Sequence, residues 1–327
     1  MNAAVLAIDC EAEAARIAEF FLHTLRGFNK RGVVLGLSGG VDSSVCAALA
    51  VHALGPQRVF GLLMPERDSS QSSASLGAQV AQQLGIQHTV EDIAPALDAI
   101  GCYRWRDEAV RAVLPDYTPA WKIKLVISGG LAGGINHFKL IAQAPSGQMS
   151  EARLPLREYL QIVAATNHKQ RLRKTLEYFH ADRLNYAVIG TPNRLEYDQG
   201  FFVKNGDGSA DLKPIAHLYK TQVYALARHL GLPDAVCSAA PTTDTYSLPQ
   251  SQDEFYFALP WAQMDLALWA RNHDHGADEL AAALGCSADQ AAAVLADIDA
   301  KRRTTRYLHA RPALVDAVFD HPPENAL

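Results

Sequence analysis

The stretch LGLSGGVDSS, Leu35 to Ser44, decides the fold of this chain. An apolar, β-branched run (Val33, Val34, Leu35) leads into it, and the Ala-rich run Val45–Leu54 follows it. That order reads as a strand, a tight glycine turn and a helix N-terminus. Ser38, Gly39 and Gly40 lack the bulk that keeps a backbone away from an anion. Successive N–H groups in such a turn, added to the positive end of the helix dipole, form a nest for phosphate oxygens. The Lys of GxxxxGK[ST] is missing, so the loop is not a Walker A loop. It carries Asp42 instead. An acid beside a phosphate cradle makes chemical sense when a divalent cation sits between them.

Working outward, Asp9–Phe28 places Ile17, Phe20, Phe21 and Leu25 at helical spacing and predicts an amphipathic helix ending near Gly27. The strand Gly32–Leu37 and the helix to Leu54 are followed by a buried strand, Arg58–Met64, which Pro65 ends. A helix over Ser69–Leu84, with Gly85 as its C-cap, and a strand over Gln87–Glu91 come next. Strands alternating with helices predict an α/β fold, a doubly wound parallel sheet with helices on both faces. Ligands of such sheets bind beyond the carboxyl ends of the strands, where SGGVDSS and MPERDSS both fall.

The alternation breaks between Tyr103 and Pro155. Lys122–Ile127 and Phe138–Ala144 read as strands around SGGLAGG, with a turn at Pro145–Gly147, so residues 103–156 are expected to be a β-rich insertion. No helix follows the second SGG, Ser128–Gly130, so it is not expected to hold phosphate. Helical periodicity resumes from Arg157 to Asn185, then come a strand, Tyr186–Gly190, and the polar loop TPNRLE. His217–Leu230 reads as a helix stopped by Gly231 and Pro233. The expectation is one domain over 1–327: an N-terminal helix (1–30), a core (31–100 and 157–245), the insertion, and a helical C-terminal tail (246–327).

The 327 residues have ordinary apolar and charged fractions for a soluble globular protein, and a net charge of −5 argues against a nucleic-acid surface. Cys10, Cys46, Cys102, Cys237 and Cys286 form no CxxC pair, which points to reduced thiols in the cytoplasm rather than disulfides or a zinc site. Neither a signal peptide nor an apolar run of membrane-spanning length is read. His273 and His275, in NHDH, read as a helix-end cluster ahead of a metal pair.

The pattern SGGxDS resembles the PP-loop of the N-type ATP pyrophosphatases, which cleave ATP between the α and β phosphates. Three further stretches narrow the resemblance. GTPNRLE spans Gly190–Glu196, FFVKNGDGSAD spans Phe201–Asp211, and APTTD spans Ala240–Asp244. Leaving out the insertion, the chain from Gly32 to about Asp244 is similar to ammonia-dependent NAD synthetases. Their GxSGGxDS matches Gly36–Ser43, their GTxxxxE matches Gly190–Glu196, and their LxK element matches Leu218–Lys220. Their FFxKYGDGGxD nearly matches Phe201–Asp211, with Asn205 and Ser209 in place of Tyr and Gly.

The resemblance implies an adenine nucleotide alpha hydrolase-like fold and a set of roles. ATP would be bound by Gly36, Leu37, Ser38, Gly39, Gly40, Val41, Asp42 and Ser43, with Thr191, Lys220 and Thr242. Mg²⁺ would be held by Asp42 and Glu196, and deamido-NAD by Arg171, Lys204, Asp211 and Lys301. Ala300 stands where the family has a His that contacts the acceptor. The implied reaction adenylates the carboxylate of deamido-NAD, releases pyrophosphate and transfers ammonia. The departures on the acceptor side leave open a paralogous amide synthetase acting on a different carboxylic acid. No stretch is left for a glutamine amidotransferase domain, so free ammonia or a separate partner is expected. A homodimer paired along the N-terminal helix is expected too, on the premise that this helix exposes Phe20, Phe21 and Leu25.

Overall fold

The computed structural model describes residues 1–128, 137–242, 245–252, 256–257 and 259–316. Helix α1 (Cys10–Gly27) starts on Asp9, whose carboxylate accepts the Glu11 and Ala12 backbone N–H groups. Strand β1 (Val33–Gly36), helix α2 (Val41–Leu54), strand β2 (Val59–Leu63), helix α3 (Gln71–Gln83) and strand β3 (Gln87–Val90) then alternate. Helix α4 (Ala94–Ile100) and helix α5 (Cys102–Val113) follow, before strands β4 (Lys122–Ser128), β5 (His137–Gln143) and β6 (Met149–Arg153). The 29-residue helix α6 (Leu156–Leu184) leads into the short strand β7 (Ala187–Val188) and helix α7 (Arg194–Gln199). Helices α8 (Lys220–His229), α9 (Asp234–Ser238), α10 (Trp261–Asn272), α11 (Ala277–Leu284) and α12 (Ala288–His309) complete the order.

The main sheet is parallel, in the order β3-β2-β1-β7. Its two inner strands, β1 and β2, are buried on both faces, as parallel strands flanked by helices must be. Because side chains alternate along a strand, Val33 and Leu35 join α1, α2 and α8 on one face. Val34, with Phe60 and Leu62 of β2, packs under α4, α5 and α6 on the other. The doubly wound reading is therefore borne out. Helices α10–α12 form a separate apolar cluster around Met264, Leu268, Leu280, Val294 and Ile298, against Leu195 of α7.

Four local expectations change. The region from Tyr103 opens with a helix, α5, and only then becomes a sheet, the antiparallel β4-β5-β6. Its helical stripe was hidden because two of its buried positions are charged, Arg106 and Asp107, which pair with each other at 2.8 Å. TPNRLE is not all loop. Asn193 caps α7 by accepting the Glu196 N–H while the Glu196 carboxylate accepts the Asn193 N–H, a reciprocal capping box. β7 is two residues long, extended by a single bridge between Ile189 and Leu212. Finally, α1 does not present Phe21 and Leu25 to a partner: with Ile17 they are buried in this chain's own core against α2 and α8. The second SGG reading lies outside the described residues from Gly129 on, as do Thr243 and Asp244 of APTTD.

Candidate active site

At the carboxyl end of β1 the chain turns through Ser38–Gly40 into α2. The turn is tied by Ser43, whose hydroxyl accepts the Ser38 N–H at 3.3 Å and donates to the Gly40 carbonyl at 3.1 Å. Gly39 has φ +79°, and a Cβ there would lie 2.4 Å from the Ser73 carbonyl oxygen and 2.9 Å from the Leu76 Cβ. Both conditions demand glycine. Gly40, the N-cap of α2, offers no side-chain cap, so the first-turn N–H groups keep their capacity to bind an anion.

Asp42, in the first turn of α2, reaches two partners. Its Oδ2 is paired with the Lys220 ammonium, and its Oδ1 accepts from the Asn193 side-chain amide at 3.0 Å. Lys220 opens α8 and is 1 % exposed. Its helix end is held from the tail: Asp265 of α10, fully buried, accepts the Lys220 N–H at 3.1 Å and both the N–H and hydroxyl of Thr221 at 2.6 Å. Glu196, opening α7, accepts the Asn193 N–H on one oxygen and the Gln252 side-chain amide, at 2.8 Å, on the other.

Charge is concentrated here. Burial, and then the Asp42 carboxylate, push Glu196 up to about 7, against which Lys220 works. Burial alone would lower Lys220, but Asp42 and Glu196 outweigh it and hold the ammonium charged. One buried cation between two carboxylates leaves the cluster short of positive charge.

These groups line a cleft of about 1110 Å³ at the carboxyl ends of β1 and β2, which the sequence placed as the binding edge. Gly36 through Ser43, Thr191, Glu196, Lys220, Thr242, Arg171 and Lys204 all border it. Arg171 donates to the Lys204 carbonyl at 3.2 Å, and the Lys204 ammonium donates to the carbonyls of Tyr307 and Ala310. Asp211 and Lys301 do not border it. Asp211 accepts the Val188 N–H at 2.7 Å, and Lys301 donates to the carbonyl of Tyr256, which does line the cleft. Ala300, on α12, does not border it either. His273 stacks on Trp269 at 4.0 Å, and no group of three metal-ligating side chains occurs among the described residues.

Sequence reading missed several members of the site. Asn193 was legible, because Asn-x-x-Glu at 193–196 is a helix-start signature. Asp265 and Gln252 carried no signal, since their partners lie 45 and 56 residues away. A buried ionic network beneath the β2 loop was equally silent. Lys169 of α6 bridges Glu66 at 3.0 Å and Asp68 at 2.7 Å, and Arg106 joins Asp68 to Asp107. Burial works to raise Asp68, but Lys169 and Arg106 outweigh it and hold the carboxyl below its ordinary value. With Arg67 near Asp107, three acids meet three bases, which is how such a network tolerates burial.

Comparisons with known proteins identify the family. The NAD synthase family model matches residues 13–113 and 135–306. The NH(3)-dependent NAD(+) synthetase of Rhizobium meliloti is 57% identical over 318 residues, covering 97% of this chain and 95% of its own. The insertion is therefore not peculiar to this chain. The protein of the same description from Thermotoga maritima is 36% identical over 252 residues, 77% of this chain and 84% of its own. Among solved structures, the NMN synthetase of Francisella tularensis aligns with a TM-score of 0.66 over 94% of this chain and 99% of its own, and at 20% identity it speaks for the fold alone. Phosphate loop, family match and near-full-length identity converge, and the chain belongs to the NAD synthase family.

Proposed function

We propose that the chain is an ammonia-dependent NAD synthetase. It activates the carboxylate of deamido-NAD with ATP and passes the acyl group to ammonia, giving NAD, AMP and pyrophosphate. One observation carries this reading: the Ser38–Ser43 loop, Asp42, Glu196 and Lys220 meet at the strand ends in one cleft, in a chain 57% identical to a synthetase so described. A different acceptor carboxylate is not favoured, because the family His position, Ala300, lies off the cleft and near-full-length relatives carry the NAD synthetase description. The cleft's size, just above the range of ordinary single-ligand pockets, suits two substrates bound side by side.

In the first step an acceptor carboxylate oxygen attacks the α-phosphorus of ATP, and the bond to the bridging oxygen breaks. Pyrophosphate leaves with several negative charges. The uncapped N–H groups at the start of α2 and the buried Lys220 ammonium would stabilise that charge as it develops. In the second step ammonia attacks the acyl carbon, and AMP departs with the former carboxylate oxygen. No side-chain nucleophile takes part. Thr191 and Thr242 would contact the nucleotide, and Arg171 and Lys204 would bind the anionic acceptor. Asp211 and Lys301 would act through the backbone groups they hold.

We assign Asp42 and Glu196 to Mg²⁺. A hard divalent cation needs one or two protein carboxylates when nucleotide phosphates complete its shell, and these two oxygen donors form such a set. Burial first, and the Asp42 charge second, push Glu196 up to about 7, and a cation beside the two carboxylates would offset both. When bound, Mg²⁺ supplies charge neutralisation at the phosphates.

The product test is direct. Nucleotide analysis after incubation with ATP, ammonium and deamido-NAD should show AMP and pyrophosphate alongside NAD. ADP with orthophosphate as the main products would overturn the reading.

We further propose a homodimer in the cytoplasm. Five free thiols accord with a reducing compartment. The dimer cannot use the buried residues of α1; exposed Trp105 of α5 and Leu156 and Leu160 of α6 offer an apolar alternative. Light scattering at micromolar concentration should give twice the chain mass, and a fully active monomer would count against it.

A further inference from the structure

The segment from Thr245 to Gln252 runs along the edge of β4 that faces away from β5, β4 being one of the two outer strands of the inserted sheet. Ile123 and Leu125, whose backbone groups share that edge, both bond to it. The Ile123 N–H donates to the Ser247 hydroxyl at 2.9 Å, and the Leu248 N–H donates to the Ile123 carbonyl at 3.1 Å. The Gln250 side-chain amide donates to the Leu125 carbonyl. Burial along the segment alternates as in a strand: Tyr246, Leu248, Gln250 and Gln252 are buried, and the residues between them are not. Tyr246 belongs to the sheet's own core with Ile123, Leu125 and Leu140.

Both ends of this segment reach the site. An antiparallel bridge joins Thr242 to Ser251, Lys169 donates to the Thr245 carbonyl at 3.1 Å, and Gln252 donates to Glu196 at 2.8 Å. We propose that the inserted sheet is a positioning element of the adenylating site: β4 holds residues 245–252 as an added strand, and Gln252 at its end is a positioning residue for Glu196. The proposal rests on the reading of Glu196 as a metal-side carboxylate. It gives the insertion a task distant from its own sequence. The sheet sets the direction of one oxygen of Glu196 and keeps this wall of the cleft closed over the acyl-adenylate. With the wall loosened, water replaces ammonia at the acyl carbon. AMP is then released, the carboxylate is regenerated, and ATP is consumed without amide formation.

The test uses the full chain with Ser247→Ala/Gln250→Ala and, separately, Gln252→Ala. Hydrogen exchange without any ligand should show the Leu248 amide protected in wild type, and exchanging on the order of tenfold faster or more in the double variant. Mn²⁺ titration followed by paramagnetic resonance, with α,β-methylene-ATP present, should show affinity weakened on the order of tenfold in the double variant and in Gln252→Ala alike. The AMP-to-NAD ratio should rise above the one-to-one of wild type. Ser247→Ala alone, which deletes a hydroxyl and little packing, serves if the double variant does not fold. An unprotected Leu248 amide in wild type overturns the proposal. So does a loosened segment with unchanged Mn²⁺ affinity and product ratio. If wild type forms no NAD, the functional reading fails instead, while the exchange and Mn²⁺ measurements, which need no turnover, still decide the anchor.

Discussion

Glu196→Gln is expected to lower the amidation rate on the order of 10²-fold or more while making the nucleotide-free protein more stable. The two effects have one cause. The Glu196 carboxylate is buried and faces the Asp42 charge, so its pKa is raised from 4.5 to about 7. A raised acid pKa means the folded state binds the proton more tightly than the unfolded chain does. Stability from this group is therefore highest below pH 4.5 and is lost as the pH climbs to about 7. The amide carries no charge; its oxygen still accepts the Asn193 N–H, and its NH2 group donates to Gln252 once that side chain turns its amide oxygen inward. Thermal unfolding in a chelator should find the variant equal to wild type at pH 4.5 and more stable by on the order of 1–3 kcal/mol at pH 8. Turnover with Mg²⁺ should fall as stated. A variant with wild-type turnover removes Glu196 from the metal-side role, and one less stable at pH 8 refutes the electrostatic account. Asp42→Ala should lose activity to a similar degree, but with lost stability, because it strands the Lys220 ammonium and the Asn193 amide.

Lys220→Met should behave in the opposite sense for stability. The ammonium is the buried cation paired with Asp42 beside Glu196, and removing it leaves two carboxylates without compensation. Breaking a buried pair from one side costs about 3–5 kcal/mol, and turnover should drop on the order of 10²-fold or more because the leaving pyrophosphate loses its cation. The double variant Lys220→Met/Asp42→Asn tests the electrostatic account of the stability loss. Neutralising both partners should restore most of the stability, measured by denaturant midpoint, and none of the turnover. Restored turnover would remove both Lys220 and Asp42 from the catalytic roles given them.

The alternation of strand and helix from Val33 to Val90, the glycine turn and the acid at its end were legible in the sequence because each is a local signal: side-chain period, turn chemistry, helix start. These place the phosphate loop and Asp42 without reference to any distant residue. Helix α5 was not legible, because its buried stripe includes Arg106 and Asp107 and burial of charge depends on partners far along the chain. The face of α1 was misjudged for a related reason. Periodicity shows that Phe21 and Leu25 share a stripe, but only tertiary packing decides whether that stripe meets this chain's core or another molecule. The site divides in the same way. Its loop belongs to one short stretch, whereas the environment that sets the charge of Glu196 is assembled from α2, α7, α8 and the segment ending at Gln252. Local sequence determined the glycine turn and the open helix end to which phosphate is assigned. Which carboxylate is buried, which lysine balances it and which remote amide aims it are properties of distance and desolvation, and these exist only once the chain has closed.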